Sequence, residues 1–145
     1  MGSGSWTASN WRSFSSSRVA GKSTSAIYTS QTMKSAYNPK NVVRESLDSK
    51  EHPESTPIIL GLDVTGSMSR ILNVMAEKMG LVMEEIYKRN PVSDPQILFS
   101  AIGDAMCDRY PLQVTQFESD IRIAEQLTDV YFERGGGGNA HCSIL

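Results

Sequence analysis

The sequence predicts an α/β fold, in which a mostly parallel sheet carries packed helices and ends in one antiparallel edge strand. Three observations predict it. Ile58, Ile59, Leu60 and Leu62 form an almost unbroken apolar run, the pattern of a strand covered on both faces. Residues 69 to 89 then place Leu72, Met75, Met79, Val82, Met83 and Ile86 at spacings of three and four, the period of a helix with one buried side. A second apolar run, Gln96 to Ile102, leads into Leu112, Val114 and Phe117, which alternate with Gln113 and Gln116. Alternation marks a strand with one face less buried, at an antiparallel edge.

Taken in order, residues 1 to 50 read as a flexible basic arm. Gly2 to Ser35 is dominated by Ser, Gly, Thr and Ala without a sustained period, and such a segment buries too little apolar surface to offset the entropy of ordering it. Asn38-Pro39 marks a turn, and Asp48 to Pro57 is a polar connector holding Pro53 and Pro57. The folded unit is therefore expected over residues 57 to 145. Ser67 or Ser69 is placed to cap the helix that follows the first strand. Lys88 and Arg89 suit the negative end of that helix, and Pro91 stops it. Ser119 or Asp120 opens a last helix near 121 to 132, with Ile123, Ala124, Leu127, Val130 and Tyr131 inward, before the glycine run Gly135 to Gly138.

The formal net charge of -2 conceals an asymmetry, because residues 1 to 50 sum to +5 and residues 51 to 145 to -7. A basic arm on an acidic body lies across its own domain or meets an acidic partner or phosphate, and the plain reading is a solvated tail. Its basic residues are dispersed rather than clustered, which argues against nucleic acid. Two cysteines, Cys107 and Cys142, give no disulfide framework, so a reducing, cytoplasmic setting is expected. No apolar run approaches a membrane span.

Chemistry concentrates at the end of the first strand. Asp63, Thr65 and Ser67 form a D-x-T-x-S series in which alternate side chains converge on a tight strand-to-helix turn. A carboxylate and hydroxyl oxygens suit a hard divalent cation. Asp104, at the end of the neighbouring strand, reaches the same carboxyl edge, where open α/β sheets bind ligands. The plain reading of the same residues is that they cap the helix and tie the turn together.

DVTGSM, with PIILGL before it, resembles the first metal-site motif of the von Willebrand factor type A (vWA, integrin I-like) domain. That family usually has D-x-S-x-S, and Thr65 keeps the hydroxyl. The resemblance implies a three-layer, Rossmann-like vWA fold with helices on both sides of a mostly parallel sheet and a metal-ion-dependent adhesion site (MIDAS) at its top. It covers the N-terminal half only, so it implies a truncated fold. The family's glycine-rich GGT loop is replaced by GGGGNA, where Asn139 supplies an oxygen, and the last metal aspartate has no counterpart unless Asp104 compensates. The expected metal ligands are thus Asp63, Thr65, Ser67, Asp104 and Asn139, holding Mg2+ or Mn2+. The expected function is a metal-ion-dependent protein–protein interaction or adhesion module that binds a partner carboxylate. The alternative is a non-enzymatic structural or assembly protein that needs no metal. Half a sheet also leaves one edge of the Ile58 to Leu62 strand unpaired, which points to a homo-oligomer or to completion by another chain.

Other motifs carry less. AGKST at residues 20 to 24 lacks the earlier glycine and the strand of a phosphate-binding loop. Cys142-Ser143-Ile144-Leu145 fits a prenylation pattern but adjoins no polybasic stretch. His52 reads as a solvated connector residue. No nucleophile stands beside a readable base, and Thr65 replaces the second aspartate that an aspartyl-phosphate enzyme requires, so no catalytic residue is assigned.

Overall fold

A computed structural model describes residues 4–133. Its central sheet has the order β1-β2-β3, formed by Thr56–Asp63 (β1), Pro95–Ile102 (β2) and Leu112–Val114 (β3). β1 and β2 run parallel, with Ile58 beside Ile97 and Leu60 beside Phe99, while β2 and β3 run antiparallel, with Ser100 beside Val114. The sheet is therefore mixed, one pair of each kind. It is not the mostly parallel, three-layer Rossmann-like vWA sheet that the sequence and the resemblance led us to expect. The edge strand is antiparallel, as its alternation predicted.

The helix joining β1 to β2, α3, spans Ser69–Arg89, the length its apolar spacing predicts. Leu72, Ala76, Met79 and Met83 pack on Ile58, Leu60 and Leu62 of β1 and on Ile97, Phe99 and Ala101 of β2. It ends two residues before Pro91, and the intervening Asn90 takes a left-handed φ of 44° and donates its N–H to Ile86 O at 3.0 Å. The last helix, α4, is Arg122–Asp129, shorter than expected. Val130 is buried beyond its end in extended backbone.

The basic arm is not the flexible, solvated tail that its composition suggests, because it lies across its own body. It contributes helices Ala8–Arg18 (α1) and Thr24–Ile27 (α2), and it inserts Val19, Ile27, Tyr28 and Tyr37 as buried residues. Tyr28 donates its hydroxyl to Leu72 O at 2.8 Å, and burial raises its pKa well above the ordinary phenol value. Trp11 of α1 lies directly on Gly80 of α3, where a β-carbon would collide with the indole.

The four α-helices among the described residues serve one face of the sheet. In β1 exposure alternates, with Pro57, Ile59 and Gly61 open and Ile58, Leu60 and Leu62 turned to the helices. The first strand is thus covered on one face rather than two, contrary to the reading of its unbroken apolar run. The second face is only partly roofed, by residues 44 to 47 over β2. There Ser46 Oγ donates to Gln96 Oε1 at 2.9 Å and Gln96 Nε2 donates to Leu47 O at 3.0 Å.

Candidate functional site

The turn after β1 places Asp63, Thr65 and Ser67 close in sequence but does not assemble them as ligands. One oxygen, Asp63 Oδ1, accepts both the Thr65 N–H at 2.9 Å and the Thr65 hydroxyl at 2.7 Å. Thr65 is only 6% exposed, so its hydroxyl is spent inside the turn on the carboxylate expected to share a cation with it. Ser67 is exposed within a short 3-10 turn, Gly66–Met68. Neither Ser67 nor Ser69 caps α3, whose cap position is Met68 without a side-chain bond.

Asp104 closes a separate turn. Its Oδ1 accepts the Met106 N–H at 2.8 Å, and its own N–H goes to Asp108 Oδ2 at 2.6 Å. Asp104 Oδ2 and Asp108 Oδ1 are buried without a hydrogen-bond partner among the described residues. Among the described residues no group of three or more His, Cys, Asp or Glu side chains is placed to hold a metal ion. Asn139 lies outside the described residues. This donor set does not fit the Mg2+ or Mn2+ that the resemblance implied, and the expectation of a MIDAS-like, metal-binding vWA module is corrected accordingly. Within the D-x-T-x-S series, Asp63 and Thr65 bond each other inside the turn.

What the geometry does bring together is apolar. Residue parity and register put Ile59 and Gly61 of β1, Leu98 and Ile102 of β2, and Leu112 and Val114 of β3 on the face away from the helices. With Arg44, Ser100 and Phe117 they line a groove of about 340 Å³. Ile59 is 64% exposed there. The alternation at β3 does mark one face less buried than the other, and the more buried face is the one carrying the glutamine. Gln113 is buried on the helix side, donating to Tyr131 O at 2.8 Å and accepting the Tyr131 N–H at 2.9 Å. With its carbonyl oxygen and its amide nitrogen both engaged by one backbone residue, Gln113 is accommodated in the interior, and Leu112 and Val114 take the open face.

The edge of β1 completes this surface. Thr56 donates its N–H to Asp94 O at 3.0 Å and Val64 donates to Ile102 O at 2.9 Å, so even-numbered residues bond toward β2. Alternation then turns the N–H groups of Ile59, Gly61 and Asp63 and the carbonyls of Pro57, Ile59 and Gly61 outward. β1 is the outermost strand of the sheet, and among the described residues no strand meets that edge.

His52 holds the arm beside this sheet rather than standing in solvent. It is 8% exposed. Nε2 donates to Gly4 O at 2.7 Å and Nδ1 lies 3.3 Å from Asp94 Oδ1. The Asp94 carboxyl sits below its ordinary value because it accepts the Glu54 N–H and then because His52 bonds it. No helix among the described residues is long and apolar enough to cross a membrane. No family model matches the chain, and no curated protein or solved structure matches it either.

Proposed function

We propose that the chain is a non-enzymatic assembly module that adds a strand of another protein chain to the free edge of β1, without a required metal. The observation behind this reading is the coincidence of an open backbone edge with an open apolar face on the same strand. An edge strand that presents unpaired N–H and C=O groups is a template for another chain, and proteins commonly guard it with charge. Between Pro57 and Leu62 the edge has no charged residue, and Pro57 guards only its start. Main-chain bonds would supply attachment, and the groove beside Ile59 would select the side chains that follow.

The metal-independent part separates this reading from an adhesion site. Static light scattering of the full chain is expected to give the same mass, above that of one chain, in Mg2+ and in EDTA. Ile59→Pro removes an outward N–H at a position where an edge strand tolerates proline, and it is expected to lower the mass to one chain. Loss of assembly in EDTA, or assembly indifferent to Ile59→Pro, overturns the proposal.

A further inference from the structure

The β1 edge is complementary to itself, and from this we infer that its occupant is a second copy of this chain, paired antiparallel about a two-fold axis at Leu60. The inference rests on the assembly reading above and deepens it. Ile59 is the projecting side chain of the open face, whereas Gly61, two residues on, presents none. A β-carbon at Gly61 meets nothing closer than Ile102 Cδ1 at 3.8 Å, so the space above it is free. In an antiparallel pair centred on Leu60, Ile59 lies opposite Gly61 of the second copy, and each projection fills the other's vacancy. Such mutual matching is the mark of an isologous interface.

The backbone agrees with this register. Antiparallel strands alternate hydrogen-bonded and non-bonded pairs. Ile59 opposite Gly61 and Asp63 opposite Pro57 are bonded pairs, and these are the residues whose N–H and carbonyl groups point outward. Pro57 falls where it needs only to accept, from the Asp63 N–H. Leu60 faces Leu60 of the second copy in a non-bonded pair on the helix side, which keeps both open faces on one side of a continuous sheet. The only charge of the strand also fits, since six residues at about 3.3 Å each separate the two Asp63 residues by about 20 Å, well beyond the ionic screening length.

The helix layer meets the same requirement. Asn73, Gly80 and Tyr87 mark the flank of α3 that faces Thr24, Trp11 and Ser119. The opposite flank carries Ile71, 55% exposed, with Met75, Val82 and Ile86 partly buried. α3 packs on β1 and β2 together, so that flank overhangs the free edge. With strands about 4.8 Å apart, helices seated over adjacent strand pairs lie about 10 Å from each other, the spacing at which helices pack.

The test exchanges projection and vacancy. Ile59→Gly removes the projection and Gly61→Ile fills the vacancy, and each alone is expected to lower the light-scattering mass from two chains to one at micromolar concentration. The double variant, Ile59→Gly with Gly61→Ile, restores the match in the same register and is expected to restore the two-chain mass. Circular dichroism of each variant distinguishes lost pairing from lost folding, and recovery in the double variant excludes a folding defect at either site. If the wild type is larger than one chain but the double variant stays single, this register is wrong while the assembly reading stands. If the wild type is a single chain at every concentration, the second copy is excluded. The assembly reading then depends on whether a fluorescein-labelled Val-Thr octapeptide, a generic extended strand, binds the wild type and not Ile59→Pro. Absence of that binding overturns the reading as well.

Discussion

Asp63 shows how one residue decides between a site and a turn. Its carboxylate accepts two bonds from a nearly buried Thr65. Asp63→Ala would leave two buried donors unpaired, a cost of about 1–3 kcal/mol. Urea unfolding is expected to show that loss, equally in Mg2+ and EDTA, whereas a loss seen only in Mg2+ would revive a cation. Asp94 offers a second test at this scale. Its folded pKa is lowered, first by the Glu54 N–H and then by His52. A lowered carboxyl contributes stability that is fully present above the unfolded value and is lost as pH falls through the folded one. Stability should therefore drop on acidification below the ordinary carboxylate range. Asp94 also has a positive φ of 38°, a conformation that asparagine accepts. Asp94→Asn keeps the backbone, and it is expected to flatten the acid limb of a pH–stability curve. An unchanged limb would assign it to other carboxyls, Asp120 among them.

At the scale of elements, α3 is the part that the sequence stated most clearly, because a long amphipathic period survives any choice of neighbours. Met79 is fully buried, and Met79→Ala is expected to cost about 2–5 kcal/mol in urea unfolding. The arm was illegible for the opposite reason. Its anchors, Val19, Ile27, Tyr28 and Tyr37, follow no period, and α1 has no buried residue of its own. It holds by tertiary contacts such as the seat of Trp11 on Gly80, with Trp6 stacked on Trp11 at 5.7 Å between ring centroids. Gly80→Ala is expected to expel Trp11, shifting tryptophan emission to the red while leaving α3 helical. Unshifted emission would place the indole elsewhere. The alternation in β3 announced an antiparallel edge strand with one face less buried, but not which face, because Gln113 is buried where Tyr131 meets its bonds.

The whole molecule inherits these local outcomes. The long runs forecast the strand–helix–strand order, but not the number of layers. An unbroken apolar run implies two covered faces, yet β1 leaves Ile59 exposed because no helix among the described residues crosses to that side. The oxygen series suggested a ligand site because residue types and spacing alone do not reveal which donors a turn consumes. Residue-resolved amide hydrogen exchange in EDTA tests the central proposal, metal-independent pairing at the β1 edge, most directly. The account predicts that Ile59, Gly61 and Asp63 exchange freely in dilute protein and become protected as concentration rises. Free exchange of all three at every concentration, with Ile58, Leu60 and Leu62 protected inside the sheet, would contradict it.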